Sequence, residues 1–108
     1  MRIILMWVAV MVAMPCVWAQ EAESVTIVIK DHRFMPAEVV VPANRKLKLI
    51  IDNQDPTPEE FESYPLNREK VISGRTQGLV YIGPLAKGVY EFIGEFHKET
   101  ARGQIVAK

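Results

Sequence analysis

AEVVVPANRKLKLIIDNQD, residues 37–55, holds two strand patterns and the turn between them. Glu38 to Val41 is rich in β-branched residues, which suit a pleated, half-buried surface. Pro42, Ala43 and Asn44 supply turn chemistry. Leu47, Leu49 and Ile51 then alternate with Lys46, Lys48 and Ile50, so one face of the second strand is apolar and the other mixed. Asn53 to Pro58, with two prolines, reads as a turn-rich loop.

The same period recurs on both sides. In SVTIVIKD, residues 24–31, Val25, Ile27 and Ile29 point one way and Thr26, Val28 and Lys30 the other. Both sets are partly apolar, which predicts a strand covered on both sides. HRFMP ends that run, and Met35 within it is read as packing rather than as a ligand. Downstream, Leu79–Gly83, Val89–Gly94 and Gln104–Lys108 read as strands, with PLAKG as a turn and EFHKETARG as a loop. YPLNREKVISGRTQG is weakly periodic and predicts irregular chain with a short strand or one helical turn. The sequence has no repeat, no low-complexity tract and no long helical period. Many short strands divided by turn signals predict an all-β sandwich or barrel.

The first residues have a different character. MRIILMWVAVMVAMPCVWAQ carries one early charge, Arg2, then an apolar run, then small residues at Val17 and Ala19. That order predicts a cleavable signal peptide over 1–19 and a mature domain over 20–108. The run from Ile3 to Gln20 lies at the short end of what spans a bilayer, and polar QEAE follows without a basic stop, so no lipid insertion is expected after cleavage. Cys16, the one cysteine, falls inside this leader. The mature chain therefore has no thiol for a disulfide or a metal, although export implies an oxidising compartment. It keeps 12 Lys plus Arg against 13 Asp plus Glu. A chain without basic excess lacks the footprint of a nucleic-acid binder.

TPEEFES, residues 57–63, places Glu59, Glu60 and Glu62 around Phe61. In an extended chain Glu60 and Glu62 share one face, and Glu59, Phe61 and Ser63 the other, with Phe61 as the core anchor. Clustered carboxylates repel unless a cation, an arginine or a proton compensates. Arg68 and Lys70, on either side of Glu69, are candidates for that compensation. His32 and His97 are the only histidines, and Glu95 shares a face with His97 if the chain there is extended. A solvated, salt-bridged loop is the plain alternative. Carboxylate and imidazole donors suit iron, copper or zinc, but not soft thiolate copper sites. The sequence contains no nucleophile elbow, no phosphate-binding glycine loop and no HExxH.

VYEFIGEFHKETARGQIVAK, residues 89–108, resembles the end of a cupredoxin, with the histidine position on His97, the cysteine position on Gly94 and the methionine position near Ala101. RFMPAEVVVPANRKLKLIIDNQDPTP is similar to the cupredoxin opening, and Glu59-Glu60-Phe61 stands where blue-copper members place their first histidine. The resemblance implies a cupredoxin-like Greek-key β-sandwich. Of the four type 1 copper ligands, only the histidine at His97 is present.

A narrower likeness covers nearly all of residues 24–107. DHRFMP, NQDPTPEEFES, LNREKVI, IGPLAKGVYEF and GEFH with TARG resemble the small periplasmic cupredoxin-like component of bacterial ferrous-iron uptake systems. That likeness implies a periplasmic protein binding iron and copper, with Fe(II) oxidation or electron or iron transfer as its activity. Its implied partners are a membrane iron permease and another periplasmic iron-binding protein. Its carboxylate motif falls on Glu60, Phe61 and Glu62, its further acidic position on Glu69, and His32 and Glu95 are further candidates; with Glu59 and His97 of the cupredoxin corner, the candidate metal residues are Glu59, Glu60, Glu62, Glu69, Glu95, His97 and His32. The alternatives are a periplasmic copper carrier or chaperone, and a metal-free interaction module.

Overall fold

A computed structural model describes residues 2–13 and 22–108. The expected cleavage point after Ala19, and Cys16, lie outside the described residues. Residues 2–13 are exposed and form no regular structure. Among the described residues no helix is long and apolar enough to cross a membrane.

Nine strands follow in chain order: β1 Glu23–Lys30, β2 Arg33–Met35, β3 Glu38–Val41, β4 Leu47–Asn53, β5 Glu59–Ser63, β6 Arg68–Ile72, β7 Gln77–Ile82, β8 Gly88–Gly94 and β9 Arg102–Ala107. A single 3-10 turn, Glu95–His97, separates β8 from β9. The strands form a four-stranded sheet in the order β2-β1-β4-β7 and a five-stranded sheet in the order β3-β9-β8-β5-β6. β1 pairs with β4, and β3 with β9, in parallel; the other pairings are antiparallel. The all-β sandwich expected from the strand periods is the observed architecture.

Alternation places the core. Ile27 and Ile29 of β1, Leu47, Leu49 and Ile51 of β4, Val80 and Ile82 of β7, and Phe61, Phe92 and Ile105 of the facing sheet are all buried. Three aromatic rings join the layers. Phe34 meets Phe92 edge-on with centroids 4.9 Å apart, and Phe61 lies 5.1 Å from Phe92. Such pairings add to the gain from burying the rings themselves.

The structure departs from the sequence reading in three places. β1 is covered on one side only: Ile27 and Ile29 are buried, but Thr26 is exposed. HRFMP does not simply end a strand, because Arg33–Met35 folds back on β1 and leaves Met35 exposed. The segment beyond Tyr64 takes the first of its two expected forms, a short strand, β6, at the edge of the five-stranded sheet. Its side chains still alternate between faces, but at this edge four residues are exposed before buried Ile72. Arg68 does not balance Glu69. Its Nε donates to the Tyr81 carbonyl of β7 at 2.9 Å, tying the edges of the two sheets together.

Buried Asn53 fastens the loop after β4. Its Nδ2 donates to the carbonyls of Thr57 at 2.9 Å and Ile72 at 3.2 Å, and its Oδ1 accepts from the Asp55 amide. Phe92→Ala is expected to lower unfolding free energy by about 3–5 kcal/mol, the usual result of emptying a buried aromatic site. Urea titration followed by circular dichroism measures it, and a loss below about 1 kcal/mol would mean the three rings do not bridge the layers.

Candidate metal centre

The seven candidate residues separate into two groups on opposite sides of β5. The register of that strand decides it. Glu59, Phe61 and Ser63 face inward and are buried, whereas Glu60 and Glu62 face outward.

The inner group is built around Glu59, which is 1% exposed. Its Oε1 accepts from the amide of Glu60 at 3.0 Å and from the amide of Phe96 at 2.9 Å. Its Oε2 meets Nδ1 of His97 in a short contact. A buried carboxylate needs such partners, because an unpaired one is strongly disfavoured in an apolar interior. The His97 ring stacks on His32, with centroids 3.5 Å apart and planes inclined by 13°.

His32 owes its position to a tight hairpin. Lys30 pairs with Arg33, so Asp31 and His32 form a two-residue turn with φ of 52° and 56°. Two left-handed residues are what a type I′ hairpin demands, and histidine adopts that conformation only at some cost. Asp55 compensates: its two carboxylate oxygens accept from the amides of Asp31 at 2.8 Å and His32 at 3.0 Å. Burial alone raises the Asp55 pKa, but these two amides, with the nearby imidazoles, outweigh it and hold the pKa below its ordinary value. Thr100 Oγ1 donates to the His32 carbonyl at 2.6 Å and pins the turn from the opposite side. Asp55 and Thr100 escaped the sequence reading. The prolines around Asp55 marked the segment as a loop, but not its reach back to β1.

The outer group comprises Glu60, Glu62, Glu69 and Glu95. Glu62 lies opposite Glu69 across the β5–β6 pair, and Glu60 opposite Val71, which puts Glu69 diagonal to Glu60. In its protonated form Glu60 can donate to Glu69; that bond, with partial burial and the surrounding negative charge, raises the Glu60 pKa to about 7. Glu62 is likewise raised, chiefly by its hydrogen bond with Glu95. Glu95 is lowered, because Lys98 pairs with it at 2.9 Å. The chain at Glu95 is a 3-10 turn rather than extended, so Glu95 does not share the His97 face. Its Oε2 is buried without a hydrogen-bond partner. Among the described residues no three His, Cys, Asp or Glu side chains group closely enough to hold one metal ion as they stand.

Gly94 and Ala101 complete the inner corner. A Cβ on Gly94 would lie 2.5 Å from the Ala101 Cβ and 2.8 Å from Cδ of Glu59. The volume that a cysteine side chain and its ion would fill is taken by the Glu59 carboxylate. The donor set does not fit type 1 copper: the corner offers a carboxylate, a glycine and an alanine where a histidine, a thiolate and a thioether are required. The stacked imidazoles do not chelate one ion in this arrangement either. Their lone pairs lie in nearly parallel planes about 3.5 Å apart, so shared coordination requires a ring rotation.

The fold and corner together define a two-sheet β-sandwich with a buried carboxylate–imidazole pair at one end. Residues 2–107 match the family described as cupredoxin-like domain, and the chain belongs to that family. An uncharacterized protein of Rickettsia prowazekii (strain Madrid E) is 48% identical over 82 residues, covering 76% of this chain and 66% of its own length. The chain thus spans just under two thirds of that relative. Among solved structures, auracyanin A, a "blue" copper protein from Chloroflexus aurantiacus, aligns over 82% of this chain and all of its own, with a TM-score of 0.69 and 14% identity. The metal-binding domain of the Streptococcus pneumoniae D39 Cu(I)-exporting P-type ATPase, solved with Cu(I), aligns over 79% of this chain and 84% of its own, with a TM-score of 0.70 and 14% identity. At that identity the likeness concerns the fold.

Two outcomes test this description. Glu59→Ala strands two amides and the His97 ring, and is expected to cost about 3 kcal/mol or more of stability by urea unfolding. The second concerns pH. The folded Glu60 carboxyl has a pKa of about 7, above its ordinary 4.5, so it binds its proton more tightly when folded. Its contribution to stability is complete below pH 4.5 and is lost as pH rises through about 7. The Tm of metal-free wild type should therefore fall over that interval more steeply than that of Glu60→Gln. Parallel Tm–pH curves for the two proteins would contradict the shared-proton description.

Proposed function

We propose that this is a periplasmic metal-handling protein with two donor sets of different chemistry. The His32–His97 edge suits copper, since imidazole is a good copper donor. The proteins named above as copper proteins, built on the same sandwich, support a copper role as carrier or chaperone. The observation that carries the second set is the outer carboxylate cluster, with Glu60 sharing a proton with Glu69 and the Glu95 Oε2 buried without a donor. Four carboxylates balanced by Lys98 alone suit a hard cation.

On this reading the cargo of the outer set is iron. Anionic oxygen donors bind Fe(III) more strongly than Fe(II), because the higher charge gains more from them. Such a set lowers the iron potential and eases loss of one electron from Fe(II). Copper held at the imidazole edge supplies a one-electron acceptor. His32 and His97 would hold copper and Glu60, Glu62, Glu69 and Glu95 would hold iron, on the two sides of β5, while Glu59 fixes the His97 ring. The protein then serves ferrous-iron uptake beside a membrane iron permease and a second periplasmic iron-binding protein, with ferroxidase activity as its chemical contribution. A copper carrier without an iron role is the competing reading, favoured by the naming of its fold neighbours. A metal-free module acting by contact is the third.

Anaerobic titration with Fe(II), followed by admission of air with and without Cu(II), separates them. The iron reading expects stoichiometric Fe(II) binding, lost in Glu60→Gln/Glu62→Gln/Glu69→Gln, and oxidation faster than in buffer. Tight copper binding with buffer-rate iron oxidation supports the carrier. Binding of neither ion leaves the contact module. In each case Cu(II) is expected to give no intense thiolate charge-transfer band, because the mature chain has no cysteine.

A further inference from the structure

The outer face of the five-stranded sheet carries a second feature, away from the carboxylates already described. Glu38 of β3, Gln104 of β9 and Glu91 of β8 stand in one row across the sheet. Between them opens a cavity of about 360 Å³ lined by those three residues together with Phe92, Ile93 and Gly103. The slot thus has the half-buried Ile93 as its apolar side chain and carboxylates on both rims. Arg102 also borders it, with its Nε committed to the Lys98 carbonyl at 2.7 Å. Among the described residues the ion pairs are His97–Glu59 and Lys98–Glu95, so Glu38 and Glu91 are both unpaired.

The surroundings agree with the slot. The adjacent row is Val40, Val106 and Val89, and Val40 and Val89 are 54% and 57% exposed. Glu38, Glu60, Glu62, Glu69, Glu91 and Glu95 lie on or beside this face, against Arg102 and Lys98. The outer face of the other sheet carries Lys30, Arg33 and Lys48 against Asp52. The molecule is electrically two-sided, which orients an approaching charged partner.

We propose that the β3-β9-β8 face is a docking surface for a protein partner that presents a lysine or arginine beside an apolar patch. The aliphatic stem of that residue lies along Ile93, and its cation sits between Glu38 and Glu91. Long basic side chains combine an apolar stem with a charged head in this way. The valine row supplies the dry centre, and the glutamates supply orientation and rate of encounter. The negative field turns away nucleic acid and anionic lipid, which leaves a basic protein surface as the occupant.

The test uses the ¹⁵N-labelled mature protein and a lysine-ringed c-type cytochrome as probe, in low salt and with 0.3 M NaCl. The expected result is salt-sensitive amide shifts centred on Glu38, Val40, Glu91 and Gln104. Glu38→Gln/Glu91→Gln should weaken binding by about tenfold while leaving the rest of the spectrum unchanged. Shifts centred on Glu60, Glu62 and Glu95, or on the His32–His97 edge, would overturn the proposal. So would an affinity untouched by the double substitution, or concentration-dependent broadening without the probe, which would make the occupant a second copy of the chain.

Discussion

A single buried carboxylate organises one end of this sandwich. Glu59 sits at the start of β5, yet its two oxygens reach the amide of Phe96 and the ring of His97, 37 and 38 residues further along the chain. Taking a carboxylate out of water costs several kcal/mol unless every oxygen finds a donor. That constraint fixes the 3-10 turn, because only a turned chain after Gly94 aims the Phe96 amide at Oε1. It fixes His97, and through stacking it settles His32. It also requires residue 94 to lack a side chain. The corner cannot be altered one residue at a time: a larger group at 94 meets Glu59, and a shorter one at 59 leaves buried donors unmatched.

The neighbouring position has the opposite fate. One step along β5, the pleat turns Glu60 to the outer surface, among Glu62, Glu69 and Glu95. Inside, one carboxylate is held by donors and its geometry is set. Outside, four carboxylates have one cation between them and settle their repulsion through shared protons. Identical side chains on adjacent residues thus become a strut and a charge reservoir. The difference is made by the two-residue period of a strand and by which sheet face meets the core.

That period is also why much of the fold was legible in the sequence. β1, β3, β4, β7 and β8 each alternate or carry β-branched runs, and the strands fall where those patterns do. The split of Glu59 from Glu60 and Glu62 followed from the same alternation with Phe61 as anchor. Two strands were less visible. β2 is three residues long, too short for a period, and β6 is an edge with little to bury. The site was legible as an inventory but not as an arrangement. Nothing local to Asp55 announces that it caps a turn 23 residues earlier. Glu95 near His97 suggested a shared face, but Glu59 outbids that geometry by holding the turn between them. Pairings that join distant segments are set by the packed sheets, and spacing along the chain does not encode them.

The parallel pairing of β3 with β9 has a consequence for how the molecule forms. β9 is the last strand in chain order, yet it lies between β3 and β8 inside the five-stranded sheet. Until it arrives, β3 has no neighbour in that sheet, and β8 has an open side. Contacts between such distant segments close late, because a long loop must first lose its freedom. A chain emerging amino end first, from a ribosome or across a membrane, therefore keeps this sheet incomplete until β9 is free. The incomplete sheet exposes Val39 and Val41 on one strand and Phe92 on another. The chain is thus most open to holding factors, and most vulnerable to wrong pairing, until β9 has emerged.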